Sequence, residues 1–201
     1  MIPGIMASRP IKVAAYSGWN PSDKGLNITL SSENFVANGG NVRNGVRAVS
    51  GKSSGKWYFE ALMSDGGAGG SVYHLGISTT SEPVDVDAPW VGHTEYGWGF
   101  TESGLFRHNG AASPSGLGAA TSSAHVINVA LDLNIGKVWF GRAGVWAGDP
   151  GEGTDPAFSN VAGTVHPAAW IGYSLASGNI RTDPSAHEYQ PPEGFTAGWP
   201  G

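Results

Sequence analysis

Gly51-Lys52-Ser53-Ser54-Gly55 matches the G-x-S-x-G pattern that lifts a nucleophilic serine onto a sharp turn. That elbow needs a strand before it and a helix after it. Here Lys56-Trp57-Tyr58-Phe59-Glu60 follows, a strand by pattern, so Ser53 belongs to a Gly/Ser turn. The same stretch, Gly45 through Gly51-Lys52-Ser53, approximates a phosphate loop. Five residues rather than four separate its glycines, and no helix N-terminus follows to stabilise a phosphate.

The six histidines, His74, His93, His108, His125, His166 and His187, show no metal-ligand spacing and no H-E-x-x-H. His74 and His125 fall within strand patterns and read as structural. His93 stands apart, in a long loop beside Trp90 and Tyr96. Asp149, Glu152 and Asp155 share a second loop with oxygen ligands a calcium ion could use, but not at EF-hand spacing. No compact acidic strand motif places paired carboxylates for glycoside hydrolysis. Trp57, Trp139 and Phe140 alternate within strands and read as core. Trp90, Trp98, Trp146, Trp170 and Trp199 are left to close the core or to stack on a partner.

The elements that must position these residues are strands. Leu26–Leu30, Gly45–Val49, Lys56–Met63, Val72–Ser78, His125–Asp132, Lys137–Gly141, Val165–Tyr173 and Asn179–Thr182 carry strand patterns. Lys56–Met63 is the strongest, with Trp57, Phe59, Ala61 and Met63 on one face. Tyr96–Phe100 and Gly104–His108 form a hairpin pair, and Asn109-Gly110 is a strong turn signal. Roughly ten short strands, with turns about every ten residues, predict an all-β sandwich or barrel. Two long loops, Thr79–Glu95 and Ala147–Asn160, do not look like core and sit where recognition is usual.

Composition sets limits. The chain has 201 residues, of which 32 are Gly and 13 Pro, which excludes a mostly helical protein. Hydrophobic residues make up 40%, enough to bury a core. The net charge of −5, with scattered Lys and Arg, disfavours nucleic-acid binding. With no Cys there is neither a disulfide framework nor a thiol nucleophile. No apolar run is long enough for a membrane-spanning helix, so no membrane insertion is expected. Residues 1–17 read as an extended apolar arm whose Ile2, Ile5, Met6, Ile11 and Val13 want a partner surface. Residues 18–201 read as one sandwich domain.

Five segments, in order, resemble SPRY domains. Ser53-Ser54-Gly55-Lys56-Trp57-Tyr58-Phe59-Glu60 resembles their SGKWYWE strand, and Phe106-Arg107-His108-Asn109-Gly110 their YHNG hairpin. Val129 to Val145 is similar to their VALDLDAGTVTFYKNGV segment. Val165-His166-Pro167-Ala168-Ala169 is similar to LYPAVS, and Tyr189 to Phe195 to their closing Y-x-PPxGF. The resemblance spans about residues 19–195. The Leu-Asp-Pro element of many animal members is missing. The opening Trp19-Asn20-Pro21-Ser22-Asp23-Lys24-Gly25 and the Met-Ile-Pro-Gly-Ile-Met-Ala start resemble SPRY-type proteins encoded by tailed bacteriophages.

The resemblance implies a two-sheet antiparallel β-sandwich of concanavalin-like jelly-roll architecture, and a binding module rather than an enzyme. Its variable loops carry no binding residue over by motif. The expectation is a bacteriophage virion protein of head or tail, oligomeric in the assembly and anchored by its arm. Its loops would contact other virion proteins or host-surface polysaccharide, with Trp90, His93, Glu95, Trp146 and Asp149 as contact residues. No catalytic residue, metal or cofactor is expected. The competing expectations are an intracellular peptide-binding adaptor and a glycan-cleaving enzyme.

Overall fold

The structure is a computed structural model that describes residues 16–67, 73–85, 90–120, 124–172 and 175–201. Its first strands are β1 (Trp19–Lys24), β2 (Thr29–Ser31), β3 (Val36–Asn38), β4 (Asn44–Ala48) and β5 (Lys56–Ser64). Next come β6 (Tyr73–Ser78), β7 (Gly97–Thr101), β8 (Leu105–His108), β9 (Ala111–Pro114) and β10 (Ala124–Asp132). The last are β11 (Lys137–Arg142), β12 (Val145–Trp146), β13 (His166–Ile171), β14 (Ser177–Arg181) and β15 (Thr196–Ala197). The one helical element among the described residues is a 3-10 turn at Pro184–Ala186.

Two sheets form the expected sandwich. A seven-stranded sheet runs β1-β4-β13-β6-β7-β8-β9, and an eight-stranded one β12-β11-β10-β5-β14-β3-β2 with β15. All pairings are antiparallel except that of β15 with β5. β5 and β10 pair along their whole length, from Ala124 opposite Ser64 to Asp132 opposite Lys56. Alternation along β5 sends Phe59, Ala61 and Met63 into the core between the sheets, with Trp57 against its margin. Leu75, Ile77, Trp98, Phe100 and Phe106 meet them from the seven-stranded sheet.

Both outer faces are partly covered as well. On the eight-stranded sheet, Tyr58, Ala130 and Trp139 are buried together with Phe195. Trp139 is thus buried on the outer face of its sheet, not between the sheets, because it is one residue out of phase with Phe140. The buried Glu60 carboxylate accepts the Tyr58 hydroxyl and the N–H groups of Glu188 and Tyr189, at 2.6, 2.8 and 2.8 Å. On the seven-stranded sheet, Val91 is buried against Ala168 and Trp170.

The structure refines several sequence readings. Fifteen strands replace roughly ten, since β9, β12 and β15 are too short to show alternation. Leu26 is 91% exposed in a turn, not part of a strand, and β2 starts at Thr29. Asn109-Gly110 joins β8 to β9, both residues at positive φ, 49° and 72°. Gly51–Gly55 lies between two strands, as expected. The loop Thr79–Glu95 is not all surface, since Glu82 and Val91 are fully buried.

Candidate ligand-binding cleft

The connection from β6 to β7 builds one wall of an open cleft at one end of the sandwich. Its neck closes where the Thr79 N–H donates to the Tyr96 carbonyl at 2.9 Å. Beyond the neck the chain folds back over the outer face of the seven-stranded sheet. Glu82 fixes that fold. Its carboxylate accepts the N–H groups of Gly92 and His93, each at 3.0 Å, and of Thr94 at 3.4 Å, together with the Thr94 hydroxyl. Arg47 pins the same segment from β4. Its Nη1 donates to the Glu82 carbonyl at 2.5 Å, while Nε and Nη2 grip Asp23 at 2.7 and 2.6 Å.

The β8–β9 turn is tied to this loop. Asn109 N–H donates to the Thr94 carbonyl and Gly110 N–H to the Gly92 carbonyl, both at 3.1 Å. The third wall is the segment before β13, held by Val161 N–H to the Gly136 carbonyl and by the Lys52–Val165 bridge. The space between the walls is a cleft of about 660 Å³, within the usual size range for small-ligand sites.

Its back wall is fully engaged within itself. The Trp98 indole N–H donates to Asn160 Oδ1 at 3.0 Å. Asn160 Nδ2 donates to His108 Nε2 at 2.8 Å, and His108 Nδ1 donates to the Gly97 carbonyl at 2.8 Å. The rim differs. Thr80, Ser81, Glu95, Asn109 and Thr164 line the cleft, and among the described residues none engages its side-chain polar atoms within the protein. Tyr96, 42% exposed, presents its ring at the same place. Among the described residues no group of three or more His, Asp or Glu side chains is placed to hold a metal ion.

No family model matches the sequence, and no curated protein matches it. Solved structures do match the architecture. The TRIM65 PSpry domain aligns with a TM-score of 0.62 at 17% identity, over 84% of this chain and 90% of that one. The SPRY domain of human HERC1 aligns with a TM-score of 0.61 at 18% identity, over 82% of this chain and 97% of that one. The fold is that of a SPRY domain. Stonustoxin also aligns, with a TM-score of 0.60 at 18% identity over 83% of this chain, which spans 27% of the stonustoxin chain. The SPRY fold therefore accounts for the sandwich, as the five sequence segments implied.

The structure scatters the residues expected to make contact. Glu95 lines the cleft. Trp90 and His93 lie half-buried in the layer over the seven-stranded sheet, with ring centroids 5.3 Å apart and the Arg107 guanidinium 5.0 Å from the Trp90 ring. Trp146 is half-buried on the outer face of the other sheet, its ring 6.2 Å from that of Tyr58. Asp149 is exposed, and its Oδ1 accepts the Glu152 N–H at 3.0 Å within a turn. Ile2, Ile5, Met6, Ile11 and Val13 lie outside the described residues. The last residues of the arm are described: Tyr16 bridges Pro200, and Ser17 N–H donates to the Trp199 carbonyl at 3.0 Å.

Sequence reasoning missed Tyr96, Trp98, His108, Asn109 and Asn160 as one group. The available signal was the Asn109-Gly110 turn, which places His108 and Asn109 at a strand end. Nothing local in the sequence connects them to Asn160.

Proposed function

We propose that the protein is a non-enzymatic binding module that seats a partner in the cleft lined by Glu95, Tyr96, Asn109 and Thr164. In this reading it is a virion component of a tailed bacteriophage, assembled in the host cytoplasm and anchored by its N-terminal arm. Its partner is another virion protein or host-surface polysaccharide. One observation carries the binding site: an open cleft whose back wall is internally satisfied while its polar rim is not. A braced wall with unengaged polar side chains loses little order when a partner arrives. The virion reading draws on the phage-like opening and on the apolar character of residues 1–15. The root of that arm lies at the cleft's end of the sandwich. Ser17 Oγ accepts the Ser50 N–H at 2.8 Å, and Lys52 pairs with Val165 next to Thr164.

The test is mass spectrometry of purified particles carrying either the full-length protein or one lacking residues 1–17, with Thr164→Trp as a cleft-filling variant. The expected outcome is incorporation of the full-length protein and of Thr164→Trp, but not of the truncated form, with loss of host or partner binding in Thr164→Trp. Absence of the full-length protein from particles overturns the virion reading. Unchanged binding by Thr164→Trp overturns the cleft.

A further inference from the structure

We infer that the cleft takes an uncharged saccharide unit packed on the Tyr96 ring; this rests on the cleft being the binding site. Three features of the lining select that ligand class.

The first is the backbone. Around the cleft Thr79 N–H pairs with the Tyr96 carbonyl, Asn109 N–H with the Thr94 carbonyl, and the Gly97 carbonyl with His108 Nδ1. A peptide that binds by strand addition needs a row of open N–H and C=O groups. Along the Thr79–Tyr96 neck and the Asn109 turn these groups are already paired, so that wall offers no open strand edge and its side chains are what a ligand meets.

The second is the chemistry of those side chains. Thr80, Ser81 and Thr164 carry hydroxyls, Asn109 an amide and Glu95 a carboxylate. Hydroxyls both donate and accept, amides do each at separate atoms, and a carboxylate accepts only. A sugar presents several hydroxyls, each of which can donate or accept, and so complements this mixture around one ring. The half-exposed Tyr96 ring supplies an apolar platform for the C–H face of a pyranose, with its hydroxyl still able to reach a partner.

The third is charge. No Lys or Arg lines the cleft, Glu95 is its one carboxylate, and the chain carries −5 overall. Phosphates, sialic acids and uronic acids would meet Glu95 with no basic partner to offset it. The lining therefore favours neutral ligands over anionic ones.

The experiment is an amide chemical-shift titration of the full chain with galactose, N-acetylglucosamine, N-acetylneuraminic acid and a capped peptide library at millimolar concentration. The expected outcome is saturable shifts at Glu95, Tyr96, Asn109 and Thr164 with a neutral sugar. Tyr96→Ala then weakens binding about tenfold, the size of one lost aromatic contact. N-Acetylneuraminic acid binds about tenfold more weakly than the neutral sugar, and Glu95→Gln narrows that gap. If no sugar shifts these amides but a peptide saturates them, the saccharide assignment fails while the cleft stands. If a sugar binds but neither Tyr96→Ala nor Thr164→Trp affects it, the cleft assignment fails as well.

Discussion

Trp98 and His108 lie face to face, their ring centroids 5.2 Å apart and their planes 10° from parallel. They are cross-strand partners on β7 and β8, and Asn160 bridges their outer nitrogens. The bridge has a direction. Gly97 offers His108 Nδ1 only a carbonyl, so Nδ1 carries the proton and Nε2 accepts from Asn160. Trp98 Nε1 can only donate, so the Asn160 oxygen must face it. Reversing the amide would set N–H against N–H on the Trp98 side. Three side chains from three segments thus fix one another's orientation behind the cleft.

Side-chain nitrogen spectra are expected to show the proton of the His108 ring on Nδ1, with Nε2 accepting from Asn160. Asn160→Ala removes an acceptor from Trp98, itself only 3% exposed, and a donor from His108. Asn160 is exposed, so water replaces part of the loss, and destabilisation of about 1 kcal/mol is expected in urea unfolding. An Nε2–H tautomer would contradict the bridge.

Glu60→Gln is expected to cost about 3 kcal/mol. The buried carboxylate accepts from Tyr58, Glu188 and Tyr189 and faces Arg181 at 3.4 Å. An amide keeps one acceptor oxygen, so at least one of these donors is stranded and Arg181 loses a charge partner. Because the carboxylate holds residues 188 and 189 to the sheet, their amides should lose hydrogen-exchange protection before those of β5 do. Uniform loss across both segments would show that Glu60 does not hold the C-terminal segment locally.

Stability should fall in mild acid. Burial first, then Arg43 and Arg107, hold the His74 imidazole well below the usual histidine range. The unfolded chain protonates this group near its ordinary value of about 6.5, while the folded chain does not. Protons therefore favour the unfolded state as pH drops below about 6.5, at up to about 1.4 kcal/mol per pH unit. His187, lowered chiefly by burial with Glu60 opposing, acts in the same direction. Urea midpoints measured from about pH 7.5 to 5.5 should decline. In His74→Gln that decline should be shallower, and an unchanged slope would remove His74 as its source.

The sandwich was legible because its central strands carry their burial in local order. Phe59, Ala61 and Met63 alternate visibly, and the turns around Asn109-Gly110 and Asn134-Ile135-Gly136 punctuate the hairpins. The cleft was not legible, because its wall is assembled by register. Trp98 and Asn160 are 62 residues apart in the chain, and their contact depends on β7 and β13 both flanking β6. Glu82 was opaque for a related reason. An acid in a Pro-rich loop looks solvated unless the backbone that curls around it is known. Trp90 and His93 stand among the expected contact residues, yet their loop lies against the sheet, where Gly99 and Gly97 leave room for it.

Gly99→Ala tests that last dependence. Ala168, Gly76 and Gly99 stand side by side across β13, β6 and β7, forming a shallow trough on the outer face. Val91 lies over Gly99, and a Cβ there would overlap the Val91 side chain and carbonyl. The loop must then lift, at a cost of about 1–3 kcal/mol for overpacking. The same loop carries Glu95 and Tyr96 at its return to β7, so ligand affinity should drop along with stability. Val91→Ala alone destabilises by leaving a cavity. Combined with Gly99→Ala it removes the side-chain half of the overlap, so the double variant should be more stable than the two separate losses predict. A strictly additive cycle would mean that Val91 and Gly99 do not bear on each other, and that the loop is seated by Glu82 and Arg47 alone.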